Sequence, residues 1–424
     1  MAAGTKTEGQ EAVGACHECG TLHAQPAAGA HAVARCPICR AELYREHPQA
    51  LDRALAFGLA ATVLFAAAHV FPFMSMSFQG REQVMTLLSG VEALYREGMA
   101  PLALLVLLTA TVIPGIKLAT GLYVLLPLRF GRCKPAGGAI FRLIEELRPW
   151  AMMEVYLLGV IVAYVKLGDL AMLRPDVGLW AFVALILCMI GADASMDERL
   201  VWYRLAPQRL LSALAAAPPA VLAACHDCGQ IERLDGGRTR CSRCNAALHK
   251  RKPQSLQRTT ALLVTAAILY VPANLFPVMT VISLGRGEAD TILSGVSALA
   301  QAGMWPIALL VFFASILVPL LKLIGLSYLL ISTRWRAPRN LRQRTLLYRI
   351  IERIGRWSMV DIFMIAILVA LVQIGSIATV LPGPGALAFA GVVILTMIAS
   401  RSFDPRLMWD RAERSGHAIP YTRI

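Results

Sequence analysis

Eight cysteines stand in two quartets: Cys16-His17-Glu18-Cys19 with Cys36-Pro37-Ile38-Cys39, and Cys225-His226-Asp227-Cys228 with Cys241-Ser242-Arg243-Cys244. Each C-x-x-C turn sets two soft thiolates on one ion, and the chain returns with a second pair after sixteen residues in the first quartet and twelve in the second. That is a ligand pattern for tetrahedral zinc, and the gaps suit the small strands of a zinc ribbon. The competing chemistries are a disulfide, disfavoured in the cytoplasm, and a redox dithiol, which needs a βαβ setting that the sequence lacks. Two Zn2+ sites are expected, with a rubredoxin-like iron the lesser choice. Four sulfurs leave no coordination position open, so both sites should be structural. His17 and His226 are then bystanders, and Cys133 and Cys188 are ordinary reduced cysteines.

A second set of polar residues is embedded in apolar sequence. Lys117 and Lys322 close the motifs Pro114-Gly115-Ile116-Lys117 and Pro319-Leu320-Leu321-Lys322, and Glu154 and Asp361 enter early in later apolar stretches. A charge within a membrane span is costly and ordinarily faces the bundle interior or a water-filled cavity. Proline frees a carbonyl and opens space there for a hydrated lysine. Glu154 and Asp361 are the expected partners of the two lysines. Ser315 precedes Lys322 by seven residues and Ser358 precedes Asp361 by three, so each pair shares one face of a regular helix. Helical rise puts Thr396, Asp361 and Lys322 about 7, 8 and 14 Å from the cytoplasmic ends of their spans, depths compatible with one polar cluster. The matching first-half positions are Ala110, Lys117, Ala151, Glu154 and Met189, which keep the charges and lose the hydroxyls. The expected substrate and proton-coupling site is therefore Lys322, Asp361, Ser315, Ser358 and Thr396, with Lys117 and Glu154 secondary and chiefly structural. The bland reading is a buried ion pair that only fixes helix register, with hydroxyls bonded to their own backbone.

The elements that must position these groups come in two copies. An offset of 205 carries Phe71-Pro72 onto Phe276-Pro277, Ser89-Gly90 onto Ser294-Gly295, and Lys117 onto Lys322. After a basic loop the offset becomes 207 and pairs Glu145 with Glu352, Trp150 with Trp357, Glu154 with Asp361, and Asp197 with Asp404. The 424 residues are 57% hydrophobic with mean hydropathy +0.59, far too apolar for a soluble protein. Apolar stretches fall at 54–73, 101–127, 152–168, 178–195, 258–279, 304–331, 358–378 and 384–400. The fold class expected is an all-α polytopic membrane protein: two tandem parallel repeats of four transmembrane helices, each preceded by a small cytoplasmic zinc ribbon. Its expected divisions are a disordered tail at 1–15 without a signal peptide, ribbon 1 at 16–47, transmembrane bundle 1 at 48–205, and a linker at 206–224. Ribbon 2 at 225–250, transmembrane bundle 2 at 251–410 and a basic tail at 411–424 follow.

Orientation follows from the arginines. The loop 332–357 carries eight of them against the single acid Glu352, and its counterpart 129–148 is also basic. By the positive-inside rule both loops, both ribbons and both termini are cytoplasmic. Topology and anionic head groups account for the net charge of +14, and no recognition fold accompanies it, so nucleic acid is not an expected partner. The repeated Thr86–Val91 and Thr291–Val296 segments read as amphipathic outer-face elements and a partner surface.

Ribbons before tandem four-span units, a Phe-Pro end to span one, the Leu-Ser-Gly-Val element and the Pro-x-x-Lys span together resemble the paraquat-inducible protein A family, most closely its two-domain, LetA-like branch. The resemblance covers nearly all of the chain beyond the first fifteen residues. It implies a bacterial inner-membrane, non-enzymatic component of lipid trafficking that works with a periplasmic MCE-domain partner forming a tunnel towards the outer membrane. The residues add a mechanism: Lys322 meets a lipid phosphate, and Asp361 titrates to couple a proton gradient to movement. No P-loop appears, so ATP is not this chain's own energy source. A metalloprotease would need an H-E-x-x-H ligand set, yet of the eight histidines only His69 falls within a span. The same residues also admit a redox or metal sensor, which would use the cysteines reversibly, and a non-transporting scaffold for the periplasmic partner.

Overall fold

The computed structural model describes residues 12–25, 33–45, 49–78, 81–132, 136–168, 172–205, 222–234, 239–283, 286–335, 340–372 and 378–414. The chain opens with two antiparallel hairpins, β1 (Ala12–Ala15) with β2 (Leu22–Gln25) and β3 (Val33–Arg35) with β4 (Glu42–Arg45). The first bundle runs α1 (Ala50–Val70), β5 (Met74–Phe78), β6 (Arg81–Met85), α2 (Ser89–Arg96), α3 (Ala100–Leu107), α4 (Ile113–Arg129), α5 (Gly137–Leu147), α6 (Met153–Gly168), β7 (Met172–Pro175), α7 (Val177–Ser195) and α8 (Glu198–Leu205). The second half opens on β8 (Leu222–Ala224) and β9 (Ile231–Arg233), then runs α9 (Ser255–Leu275), β10 (Met279–Ser283), β11 (Arg286–Asp290), α10 (Ile292–Gln301) and α11 (Trp305–Phe312). It continues through α12 (Val318–Trp335), α13 (Leu341–Ile354), α14 (Val360–Leu371), β12 (Ala378–Pro382), α15 (Pro384–Ser402) and α16 (Arg406–Arg414). Strand β1 begins at Ala12, inside the stretch expected to be a disordered tail; the rest of that tail, most of the 206–224 linker, Cys133 and residues 415–424 lie outside the described residues.

Among the described residues eight helical spans are long and apolar enough to cross a membrane, and the protein is a multi-pass membrane protein. The third span of each half starts earlier than its apolar stretch, at Gly137 and at Leu341. The supposed basic loops contain α5 and α13, amphipathic helices whose buried residues recur at helical spacing: Phe141 and Ile144 in one, Thr345, Tyr348 and Ile351 in the other. Charged residues conceal that stripe when charge alone is counted: four arginines in α13, and Arg142 with Glu145 and Glu146 in α5.

Both second spans are interrupted by one π-helical turn, Leu108–Val112 and Phe313–Leu317, with the Ile113 and Val318 amides bonding back to Leu108 and Phe313. The prolines that follow explain this. Pro114 and Pro319 have no N–H for the carbonyls of Ala110 and Ser315, and their rings crowd those carbonyls, so the turn widens.

At the end opposite the ribbons, each half forms a three-stranded antiparallel sheet, β6-β5-β7 and β11-β10-β12. These sheets were not legible as strands in the sequence. The first and fourth spans cross there by backbone contact: the Gly178 amide bonds the Pro72 carbonyl at 2.8 Å, and the Gly385 amide bonds that of Pro277 at 3.0 Å. A Cβ on Gly178 would lie 2.5 Å from the Pro72 oxygen, and one on Gly385 2.4 Å from that of Phe276, so only glycine fits.

The core runs between the repeats. All twelve residues of α14 are buried, and this helix packs on α6 and α2 of the first half. Gly159 and Gly90 admit the backbone at Phe363–Met364 and Ala366. Tyr156 and Phe363, equivalent by the offset of 207, meet with ring centroids 5.4 Å apart, and Phe182 joins Tyr156 edge-on at 5.6 Å.

Candidate metal centres and intramembrane polar site

Each cysteine quartet converges on one centre. All four ligand atoms of each lie within 4.8 Å of one another. Sγ separations are 3.5 Å for Cys16–Cys39, 3.6 Å for Cys19–Cys36, and 3.5 Å for both Cys225–Cys244 and Cys228–Cys241. Zinc–sulfur bonds of about 2.3 Å in a tetrahedron place sulfurs about 3.8 Å apart, so the sites fit a metal and none of the eight is in a disulfide. Each knuckle closes through a left-handed residue just after its second cysteine: Gly20, Arg40, Gly229 and Asn245.

The ribbons dock crosswise. Cysteines of ribbon 1 share a core with Leu326, Tyr348, Ile351 and Trp409 of the second bundle, while those of ribbon 2 share one with Leu51, Phe141, Val201 and Trp202 of the first. Arg349 on α13 donates to the Glu18 carboxylate at 2.6 and 2.7 Å and to the Cys39 carbonyl at 2.8 Å. Its equivalent, Arg142 on α5, donates to the Cys244 carbonyl at 3.4 Å and stands 4.0 Å from Asp227. Burial alone would raise the Glu18 carboxyl, but hydrogen bonds from His17 and Arg349 hold it below its usual value. The ribbons also touch each other through Leu222, Ile231, Ala15 and Leu22.

Within the membrane the two lysines have different partners. Lys117 donates to Asp193 of α7 at 2.6 Å, so its carboxylate comes from the fourth span rather than from Glu154, whose side chain is exposed on α6. Lys322 is 2% exposed, and its ammonium donates to the Gly355 carbonyl at 3.0 Å and the Thr396 hydroxyl at 3.2 Å. Both acceptors are neutral, so the expected Lys322–Asp361 pair is not formed. By the offset of 207, Ser400 replaces Asp193, and Gly355 replaces Arg148. A Cβ at 355 would sit 3.0 Å from Lys322 Cε, so glycine there admits the lysine.

Thr396 is thus joined to Lys322, while Asp361 lines a separate cavity with Met279, Thr291, Gly295, Val311 and Ile365, beside α10. The π-helical turn bearing Ser315 packs against the 3-10 turn Gly355–Met359 that bears Ser358. Both hydroxyls are buried with no hydrogen-bond partner among the described residues. The widened turn also breaks the regular seven-residue register assumed between Ser315 and Lys322. Sequence reasoning missed Asp193, although it stands inside the apolar stretch 178–195, and missed Gly355, for which a loop position gave no signal. On the face away from the ribbons, Thr291 caps α10 reciprocally with Ser294, which makes the repeated segment an amphipathic helix start.

The sequence pattern that defines the paraquat-inducible protein A family matches residues 51–206 and 256–413. The chain belongs to that family. Among its paraquat-inducible protein A relatives, the Escherichia coli (strain K12) intermembrane transport protein PqiA is 34% identical over 95% of this chain and 96% of its own length. The lipophilic envelope-spanning tunnel protein A of the same organism is 32% identical over 95% and 92%. A probable intermembrane transport protein of Haemophilus influenzae is 27% identical over 90% and 91%. No solved structure matches the chain.

Proposed function

We propose that the protein is the inner-membrane component of a phospholipid trafficking system, loading or receiving lipid for a periplasmic MCE-domain tunnel and so maintaining the envelope. It makes and breaks no covalent bonds, and its ribbon end faces the cytoplasm by the positive-inside rule. The relatives' names, which speak of intermembrane transport and an envelope-spanning tunnel, support this reading. The observation that carries it is the Lys322 ammonium, held inside the second bundle by two neutral acceptors, where the first bundle supplies a carboxylate. An ammonium so placed is not spent on a carboxylate and can turn to an anionic phosphate, and the Ser315 and Ser358 hydroxyls add unspent hydrogen-bonding capacity beside it. Asp361, on the cavity under α10, is the proton-coupling group. Ser315, Ser358 and Thr396 complete the site, and Lys117 and Glu154 are secondary. Both cysteine quartets hold Zn2+ structurally and fasten the ribbons to the bundles.

Complementation of a deletion strain with Lys322→Ala and Asp361→Asn tests this reading, scoring outer-membrane integrity together with protein level and co-purification of the periplasmic partner. Lost integrity at normal level and partner binding is expected. The close fit of Lys322 against Gly355 favours one rival, a non-transporting scaffold for that partner. Full integrity in both variants would leave the rival standing.

A further inference from the structure

The first bundle has a cavity of its own at its lysine. It is a half-open recess among α1, α4, α5 and α7. Its walls are apolar, with Gly58, Leu122 and Phe141 among them, and among the described residues Lys117 and Asp193 are its only charged groups. Among the described residues nothing lies within 4 Å of a Cβ built on Gly121, so one wall is an open slot. These helices present to it their ribbon-end halves, so the cavity sits at the depth of the leaflet on that side. Lys117 is 9% exposed and Asp193 34%, which puts the carboxylate nearer the mouth and the ammonium deeper.

We propose that this cavity is a binding site for one aminophospholipid from the ribbon-side leaflet, with an acyl chain along the Gly58–Gly121 slot, the phosphate on Lys117 and the primary ammonium on Asp193. A zwitterion exchanges with the ion pair without net change of charge: Lys117 gives up Asp193 for phosphate, and Asp193 gives up Lys117 for ammonium. An anionic head group would meet Asp193 with nothing to offset it. The surroundings sharpen that bias, because Arg148 is already engaged by Glu145 at 3.4 Å and by Glu198. A choline head group has the charge but no N–H to donate, so Asp193 selects the primary amine. The second bundle lacks this pairing, with Ser400 at the position of Asp193. The site is independent of the one proposed around Lys322.

The test uses the full chain in phosphatidylcholine vesicles doped with a diazirine-acyl analogue of phosphatidylethanolamine, phosphatidylcholine or phosphatidylglycerol, with labelled peptides mapped by mass spectrometry. The ethanolamine analogue should label the α1 and α4 walls about tenfold above the other two, the difference one charge-assisted hydrogen bond makes. Asp193→Asn should bring it down to the choline level. Gly121→Leu should abolish it while keeping the fold, since leucine is the better helix former, and Gly58→Leu fills the same slot from the facing helix. Lys322→Ala should leave the labelling unchanged, which separates this site from the second bundle. Equal labelling by all three lipids, labelling strongest with phosphatidylglycerol, or full labelling in both slot-filling variants would overturn the proposal.

Discussion

The two lysines show how one residue type in one motif acquires two roles from its neighbours. Lys117 is neutralised by Asp193, whereas Lys322 relies on a carbonyl and a hydroxyl, and the difference rests on Gly355 and Ser400 replacing Arg148 and Asp193. Gly355→Ala should cost about 1–3 kcal/mol by overpacking, read as a lower melting temperature, and Lys322→Met in that background should recover most of it. A second residue-scale outcome concerns Asp404, which accepts from the Lys252 and Arg406 amides at 3.1 Å each and from the Arg406 guanidinium. Burial alone would raise its carboxyl, but Arg406 and these amides hold it below the usual carboxylate range. Its stabilisation is present above the unfolded value of about 3.9 and is lost as pH falls through the lower folded value. Thermal melts should therefore drop below about pH 4, and Asp404→Asn, less stable at pH 7, should lose part of that acid dependence. The lysines, the cysteines and Thr396 were legible because polar groups stand out against apolar sequence. Asp193 was not, because the offset offered a nearer carboxylate in Glu154, and equivalence between repeats says nothing about which helix faces which.

At the scale of elements, the spans were legible to within a turn or two where apolar runs end on Phe-Pro or Gly. The third spans were not, since α5 and α13 carry their apolar stripe beneath arginines that pair with the ribbons. The π-helical turns were equally hidden: one extra residue in a turn leaves hydropathy unchanged, and only the prolines mark the place. Pro319→Ala returns the missing N–H and should let the turn relax to α-geometry, rotating Ser315. The expected result is an unchanged or higher melting temperature with reduced envelope integrity in complementation. Reduced stability with intact function would show the turn to be purely structural.

At the scale of the molecule, duplication could be read directly, and crossed docking could not. Its trace was there in hindsight: Arg142 and Arg349 share the offset of 207, and each knuckle pair carries an acid, Glu18 or Asp227, after its histidine. Nothing in a linear offset tells which bundle receives which ribbon. Metal chelation should loosen both halves at once, seen as a lowered melting temperature and faster proteolysis of residues 12–45 and 222–248 together. Arg349→Ala should speed proteolysis of ribbon 1 alone, because ribbon 2 is held by Arg142.

The crossing also sets an order of manufacture. Ribbon 1 leaves the ribosome first, yet Arg349, 331 positions later, belongs to its seat. It must wait undocked until all eight spans have been made, since Trp409 of the same seat follows the last of them. Ribbon 2, by contrast, finds its seat already built. A chain truncated after the first bundle would be left with a ribbon that has no place to dock and a bundle face that has no ribbon, so neither half is a self-sufficient ancestor of the whole in its present form.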